Sequence, residues 1–113
     1  MTKAFEGVRV IDFSQVLAGP FAAGQLALLG ADVIKVERPF SGDLYRDLPP
    51  FFNRKVGDFE NPSFLAWNRN KRSLAVDLKN PEGKKLLQDI AATADVFVQN
   101  FRPGVLDRLR FGY

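Results

Sequence analysis

Val8-Arg9-Val10-Ile11-Asp12-Phe13 is β-branched and apolar, with Gly7 before it and a polar turn after it, and predicts a largely buried strand. A helix is expected next, over residues 21–29: Pro20 suits a first helical position, the segment is rich in Ala, Leu and Gln, and Gly30 offers a left-handed stop. Residues 31–37 alternate apolar with polar and predict a second strand, completing a strand-helix-strand unit. Residues 38–63 keep no period and contain Pro39, Gly42, Pro49, Pro50, Gly57 and Pro62, which predicts a long loop with at most a helical turn. Phe40, Tyr45, Phe51, Phe52 and Phe59 favour a segment packed onto a surface. A short helical turn over 64–67 and a third strand over 73–78 follow. Asn80-Pro81-Glu82 then signals a helix start, and Leu86, Leu87, Ile90, Ala91 and Ala94 recur at helical spacing behind it. A fourth strand over 95–99 and a short helix over 103–109 close the pattern.

Strands alternating with helices predict an α/β fold, with a mostly parallel sheet of about four strands and flanking helices. In such sheets ligands gather at the carboxyl ends of the strands. That rule selects residues 14–20, 38–42, 78–80 and 100–104.

Composition narrows the chemistry. The 113 residues suffice for one small domain or a piece of a larger one. With no cysteine and no histidine, thiolate nucleophiles, zinc ribbons and the commonest general base are all absent. A net charge of +3 is compatible with a phosphate-bearing ligand and is weak support for nucleic acid. The amino terminus lacks the pattern of a secretory signal and no apolar run is long enough to span a membrane, so a cytoplasmic location is expected.

At the selected ends, residues 14–20 lead into a helix whose free N–H groups could hold an anion. Gly19 and Gly24 have the spacing of a Walker loop, but Gln25 and Leu26 stand where Lys and Ser or Thr are needed. A turn without any ligand is the plainer reading. Arg38 follows the second strand, where an arginine can accept a phosphate, although a surface ion pair is the commoner fate of a single arginine. Arg102 and Arg108, on a strand-end loop and its helix, could bring two guanidinium groups to one diphosphate. Phe101 is core by default, and alternatively flanks an adenine. Arg69, Lys71 and Arg72, near Phe64 and Trp67, are better explained by a solvated loop or a contact to a small cofactor's phosphate than by single-stranded nucleic acid. No carboxylate has a partner that spacing identifies as catalytic.

Five ordered stretches carry a resemblance. They are residues 7–14 with Leu17-Ala18-Gly19-Pro20; residues 29–39; Asn68-Arg69-Asn70-Lys71-Arg72-Ser73-Leu74; Asp77-Leu78-Lys79 with Pro81-Glu82-Gly83; and Ala94-Asp95-Val96 with Asn100-Phe101-Arg102-Pro103-Gly104 and Leu106-Asp107-Arg108. Together they resemble the opening of the family III coenzyme A transferases over nearly all of the chain. The resemblance implies that residues 1–113 are the N-terminal portion of a Rossmann-like nucleotide-binding domain that takes an acyl-CoA substrate and a carboxylate, without metal, nucleic acid or membrane. It implies that Val16 and Leu17 line the nucleotide, that Arg38 meets its phosphate end, and that Val76 and Lys79 edge the pocket. Asn100, Phe101, Arg102 and Arg108 complete the adenosine and diphosphate contacts. It further implies an interlocked homodimer of longer chains, and a nucleophilic aspartate beyond Tyr113. On this resemblance the present chain holds part of a CoA site without the nucleophile and is inactive alone. Its 11 phenylalanines, and only two sizeable helices for four strands, further predict exposed apolar surface and self-association. A racemase of the same family and a non-catalytic CoA-binding module are the alternatives.

Overall fold

The computed structural model describes residues 2–47 and 61–112. Four strands, β1 (Arg9–Asp12), β2 (Asp32–Glu37), β3 (Arg72–Ala75) and β4 (Val96–Val98), form one sheet in the order β3-β2-β1-β4. All three pairings are parallel. The connections are α1 (Ala18–Leu28) between β1 and β2, α2 (Pro62–Asn68) before β3, and α3 (Pro81–Ala91) before β4; α4 (Val105–Arg108) follows β4. This is the expected α/β architecture. The order reverses between β1 and β4, where the chain crosses back over the sheet, and ligands of parallel sheets gather at the carboxyl ends beside such a switch point.

Side chains alternate across each strand, so the sheet supports a core on each face. Val10 and Val33 pack with Ala23, Ala27 and Ala31 on the α1 side. Ile11, Phe13, Val36 and Val76 pack with Leu87 of α3 on the other, together with Phe97, Phe101 and Leu109. The carboxyl-terminal half of the α1 face is different: Asp12 and Lys35 are register partners there, and both are buried.

The elements differ from expectation mainly at their ends. The first helix starts at Ala18, two residues before Pro20, and closes in a Schellman turn: the N–H groups of Ala31 and Gly30 donate to the carbonyls of Leu26 and Ala27, with Gly30 at φ 106°. The turn expected at 64–67 is a helix of seven residues. Its start, Asn61-Pro62, repeats the signal read correctly at Asn80-Pro81, and in both the asparagine side chain accepts the N–H two residues on. Within 38–47, Leu44–Arg46 forms a 3₁₀ turn. The expectation for Phe51, Phe52 and Phe59 lies outside the described residues. In α3, Leu87 is fully buried but Leu86 is half exposed, because a step of about 100° per residue turns it off the stripe that Leu87, Ile90 and Ala94 share.

Gly24 of α1 lets α2 approach: a Cβ there would stand 2.5 Å from the backbone oxygen of Trp67. Gly24→Ala gains about 1 kcal/mol of helix propensity. The clash costs about 1–3 kcal/mol and wins, since a backbone carbonyl in a packed turn cannot swing aside as a side chain could. A lower urea midpoint is therefore expected for this variant, and a raised one would show that α1 and α2 are free to separate.

Candidate functional site

The strand ends meet around a cavity of about 270 Å³. Phe13 and Gln15 reach it from the end of β1, Val36, Glu37 and Arg38 from β2, residues 76–79 from beyond β3, and Phe101, Val105 and Leu109 from beyond β4. Its wall is apolar, with Phe101 edge-on to Phe13 at 5.1 Å between ring centroids. At its rim stand two cations, Arg38 and Lys79. None of the ion pairs among the described residues uses either of them. Its two carboxylates are engaged: Glu37 accepts two bonds from Arg46 and one from the Asp43 N–H, while Asp77 accepts the N–H of Lys79 in a turn. A more open hollow of about 550 Å³ lies among Lys3, Glu6, Gly30, Ala31 and Asn70, all preceding strands. It is at the wrong end of a parallel sheet for a ligand.

Of the residues singled out in the sequence, Arg38, Val76, Lys79 and Phe101 line this cavity. The other five do not. Asn100 instead grips the loop after β1, accepting the Gln15 N–H at 2.9 Å and donating to the Gln15 carbonyl at 2.7 Å. Val16 gives its N–H to Asp43, and Leu17 sits exposed at the uncapped start of α1. Arg102 and Arg108 are exposed on the last loop and helix.

The loop of residues 14–20 is bolted down by buried charge, which the sequence did not reveal. Asp12 accepts the N–H and hydroxyl of Ser14 on one oxygen and the Lys71 ammonium, at 2.6 Å, on the other. Lys71 also donates to the Pro20 carbonyl and to Asn68. Lys35 donates to the Ser14 carbonyl and stands 2.8 Å from Asp43. The reading of the basic cluster at 69–72 is therefore corrected for Lys71, which is neither solvated nor open to a phosphate, while Arg72 is exposed and paired with Asp32 at the end of the sheet away from the cavity. Spacing along the chain could not show this, because Asp12 and Lys71 are 59 residues apart.

Burial pushes the Glu37 and Asp43 carboxyls up, but their donors pull harder. For Glu37 these are Arg46 and the Asp43 N–H; for Asp43 they are Lys35 and the N–H groups of Tyr45 and Val16. Both groups end below their ordinary values of 4.5 and 3.8. With folded values lower than unfolded ones, the unfolded chain takes up protons first on acidification. Stability is thus expected to be level above the ordinary range and to decline as pH falls through it. Urea midpoints measured across that range check the sign; a midpoint that rose on acidification would contradict it.

The CoA-transferase family III model matches residues 5–113. The chain is 50% identical over 112 residues to mouse succinyl-CoA:glutarate CoA-transferase, covering 98% of this chain and 24% of that protein. It is 51% identical over 115 residues to a formyl-CoA:oxalate CoA-transferase of Rhodopseudomonas palustris, covering 98% and 25%. It therefore spans about a quarter of the length of these curated relatives. A CaiB/BaiF family protein from Brucella suis superposes with a TM-score of 0.86 at 37% identity, over all of this chain and 30% of that one. A match that runs through every strand, both cores and all four strand-end loops leaves one assignment: the chain belongs to the CoA-transferase family III.

Proposed function

We propose that this chain forms the nucleotide-holding part of an acyl-CoA site, in a protein that moves CoA between carboxylic acids. The observation that carries the reading is the pairing of an apolar slot, walled by Val36, Val76 and Phe101, with the cations Arg38 and Lys79, which form no ion pair among the described residues. A purine can enter such a slot, while guanidinium and ammonium groups meet phosphates. The cavity lies just below the roughly 300–1,000 Å³ of sites that enclose a whole ligand, so only the adenosine end is held inside it. The pantetheine arm and the thioester then extend beyond it. Val16, Leu17, Asn100, Arg102 and Arg108, which flank the slot without lining it, are assigned to that extended part and to the diphosphate.

The transfer itself needs a carboxylate nucleophile that takes the acyl group as a mixed anhydride and releases the CoA thiolate. We assign that aspartate to a part of the protein outside this chain, because Glu37 is locked by Arg46 and Asp77 closes a turn. The chain alone then binds CoA without chemistry, in keeping with its lack of histidine. Acyl exchange by the isolated chain would refute this. Among the described residues no group of three or more His, Cys, Asp or Glu could hold a metal, and no helix is long and apolar enough to cross a membrane. A homodimer in the cytoplasm completes the proposal. Phe21, Leu44 and Leu65, with a fully exposed Phe40, present apolar surface for a second copy, and self-association in light scattering is the expected result.

Titration with CoA, dephospho-CoA and a short oligonucleotide tests the central reading. CoA is expected to bind best. Preference for the oligonucleotide with a steep salt dependence would overturn it.

A further inference from the structure

The turn that reaches the cavity from β1 is built in an unfavourable backbone form. Val16 lies at φ 70°, in the left-handed region, where a β-branched residue is an outlier. It has no flexibility of its own to offer, so something outside the turn must hold it there. The Val16 N–H donates to Asp43 Oδ1 at 3.0 Å. That carboxylate is buried, and Lys35, also buried, stands on its other oxygen while donating to the Ser14 carbonyl just upstream of the turn.

Asp43 is itself placed with care. Its N–H donates to Glu37 at 2.7 Å, and Arg46 brackets the same Glu37 carboxylate with two bonds of 2.8 Å. Gly42, at φ 65°, leaves room for this arrangement, since a Cβ would stand 2.7 Å from Glu37 and 2.8 Å from Arg46. A relay of contacts therefore runs from Arg46 through Glu37 and Asp43 to Val16, and Gln15 next to it lines the cavity. On the far side of the turn, Asn100 holds both backbone groups of Gln15.

We propose that Asp43, braced by Lys35, is a positioning residue that keeps the Gln15–Leu17 turn in its left-handed form, so that CoA meets a turn already shaped for it. Asp43 touches no ligand in this scheme and acts only through Val16. The inference rests on the CoA reading of the cavity and goes beyond it by naming what sets the turn.

The test compares the unaltered protein with Asp43→Ala and with Lys35→Met/Asp43→Asn. In the double variant the amide oxygen still accepts the Val16 N–H and no lone ammonium remains. Two readouts are taken on each: the Val16 amide proton shift and its coupling to Hα without ligand, which report φ, and the CoA dissociation constant by calorimetry. Asp43→Ala is expected to lose the left-handed coupling and to bind CoA about tenfold or more weakly. The double variant is expected to recover both to a large extent. A folded Asp43→Ala protein that binds CoA as tightly as the original overturns the positioning role, as does a Val16 signature that survives the substitution. Failure of the unaltered protein to bind CoA, with the Val16 signature intact, overturns instead the reading of the cavity on which the role depends. Should Asp43→Ala not fold, the comparison of the double variant with Asp43→Asn decides: equal CoA affinity and equal Val16 coupling in the two would remove Lys35 from the scheme.

Discussion

Lys71→Ala lowers the free energy of unfolding by about 3–5 kcal/mol, the usual cost of stripping one partner from a buried ion pair. The Lys71 side chain is 2% exposed and that of Asp12 is 0% exposed, so no water takes over the lost role. Burial presses the Lys71 pKa below its ordinary 10.5 even though Asp12 pulls it back up. Removal of the ammonium strands the carboxylate and also frees the Pro20 carbonyl and the Asn68 side chain. A domain of this size commonly has about 5–15 kcal/mol in total, so the variant is expected to be partly unfolded well below the melting temperature of the parent. Lys71→Met/Asp12→Asn should regain most of the loss, because a neutral pair of similar volume carries no desolvation penalty and the amide oxygen can still accept from Ser14. Urea denaturation of the three proteins measures this. A single variant within 1 kcal/mol of the parent, on the scale of an ordinary surface change, would mean that Lys71 is not enclosed as described.

Replacing both rim cations is expected to have the largest effect on binding. Hydrogen bonds to charged groups contribute about 1.5–3 kcal/mol each, so Arg38→Ala and Lys79→Ala should each weaken CoA by about 10- to 100-fold. Both residues are exposed and unpaired among the described residues, so stability should stay within about 0.5 kcal/mol. That separation is what identifies a ligand contact. Calorimetric titration with CoA and dephospho-CoA adds direction: the cation that meets the 3′-phosphate loses its preference for CoA when substituted, while the other weakens both ligands alike. If neither substitution moves either affinity, the phosphates do not meet these two cations, and Arg102 and Arg108 are left to hold them alone.

Local chemistry made some parts of this protein legible. The β-branched run of Val8–Phe13, the alternation of 31–37, the Asn80-Pro81 start and the Gly30 stop act over a few residues, and the elements they predict are present. The rule that ligands gather at strand ends then selected the four segments that converge on the cavity. The seven-residue α2 was read only as a turn over 64–67 although Asn61-Pro62 carried the same start signal, because the proline-rich stretch before it reads as continuous loop. Asn100 was singled out for the nucleotide, and the contacts it makes in the fold are with the Gln15 backbone.

By itself the chain's order of residues determined a parallel α/β sheet, its crossovers and the family likeness, since each depends on periods and motifs that neighbouring positions share. Only the tertiary structure decided which charges are structural and which face the ligand. Lys71 and Lys79 look alike as basic residues near a strand, but the first is enclosed against Asp12 and the second stands at an open rim. Burial is a property of everything packed around a side chain, much of it from distant parts of the chain. For an ionic group, loss of water is the term that settles what its charge can do.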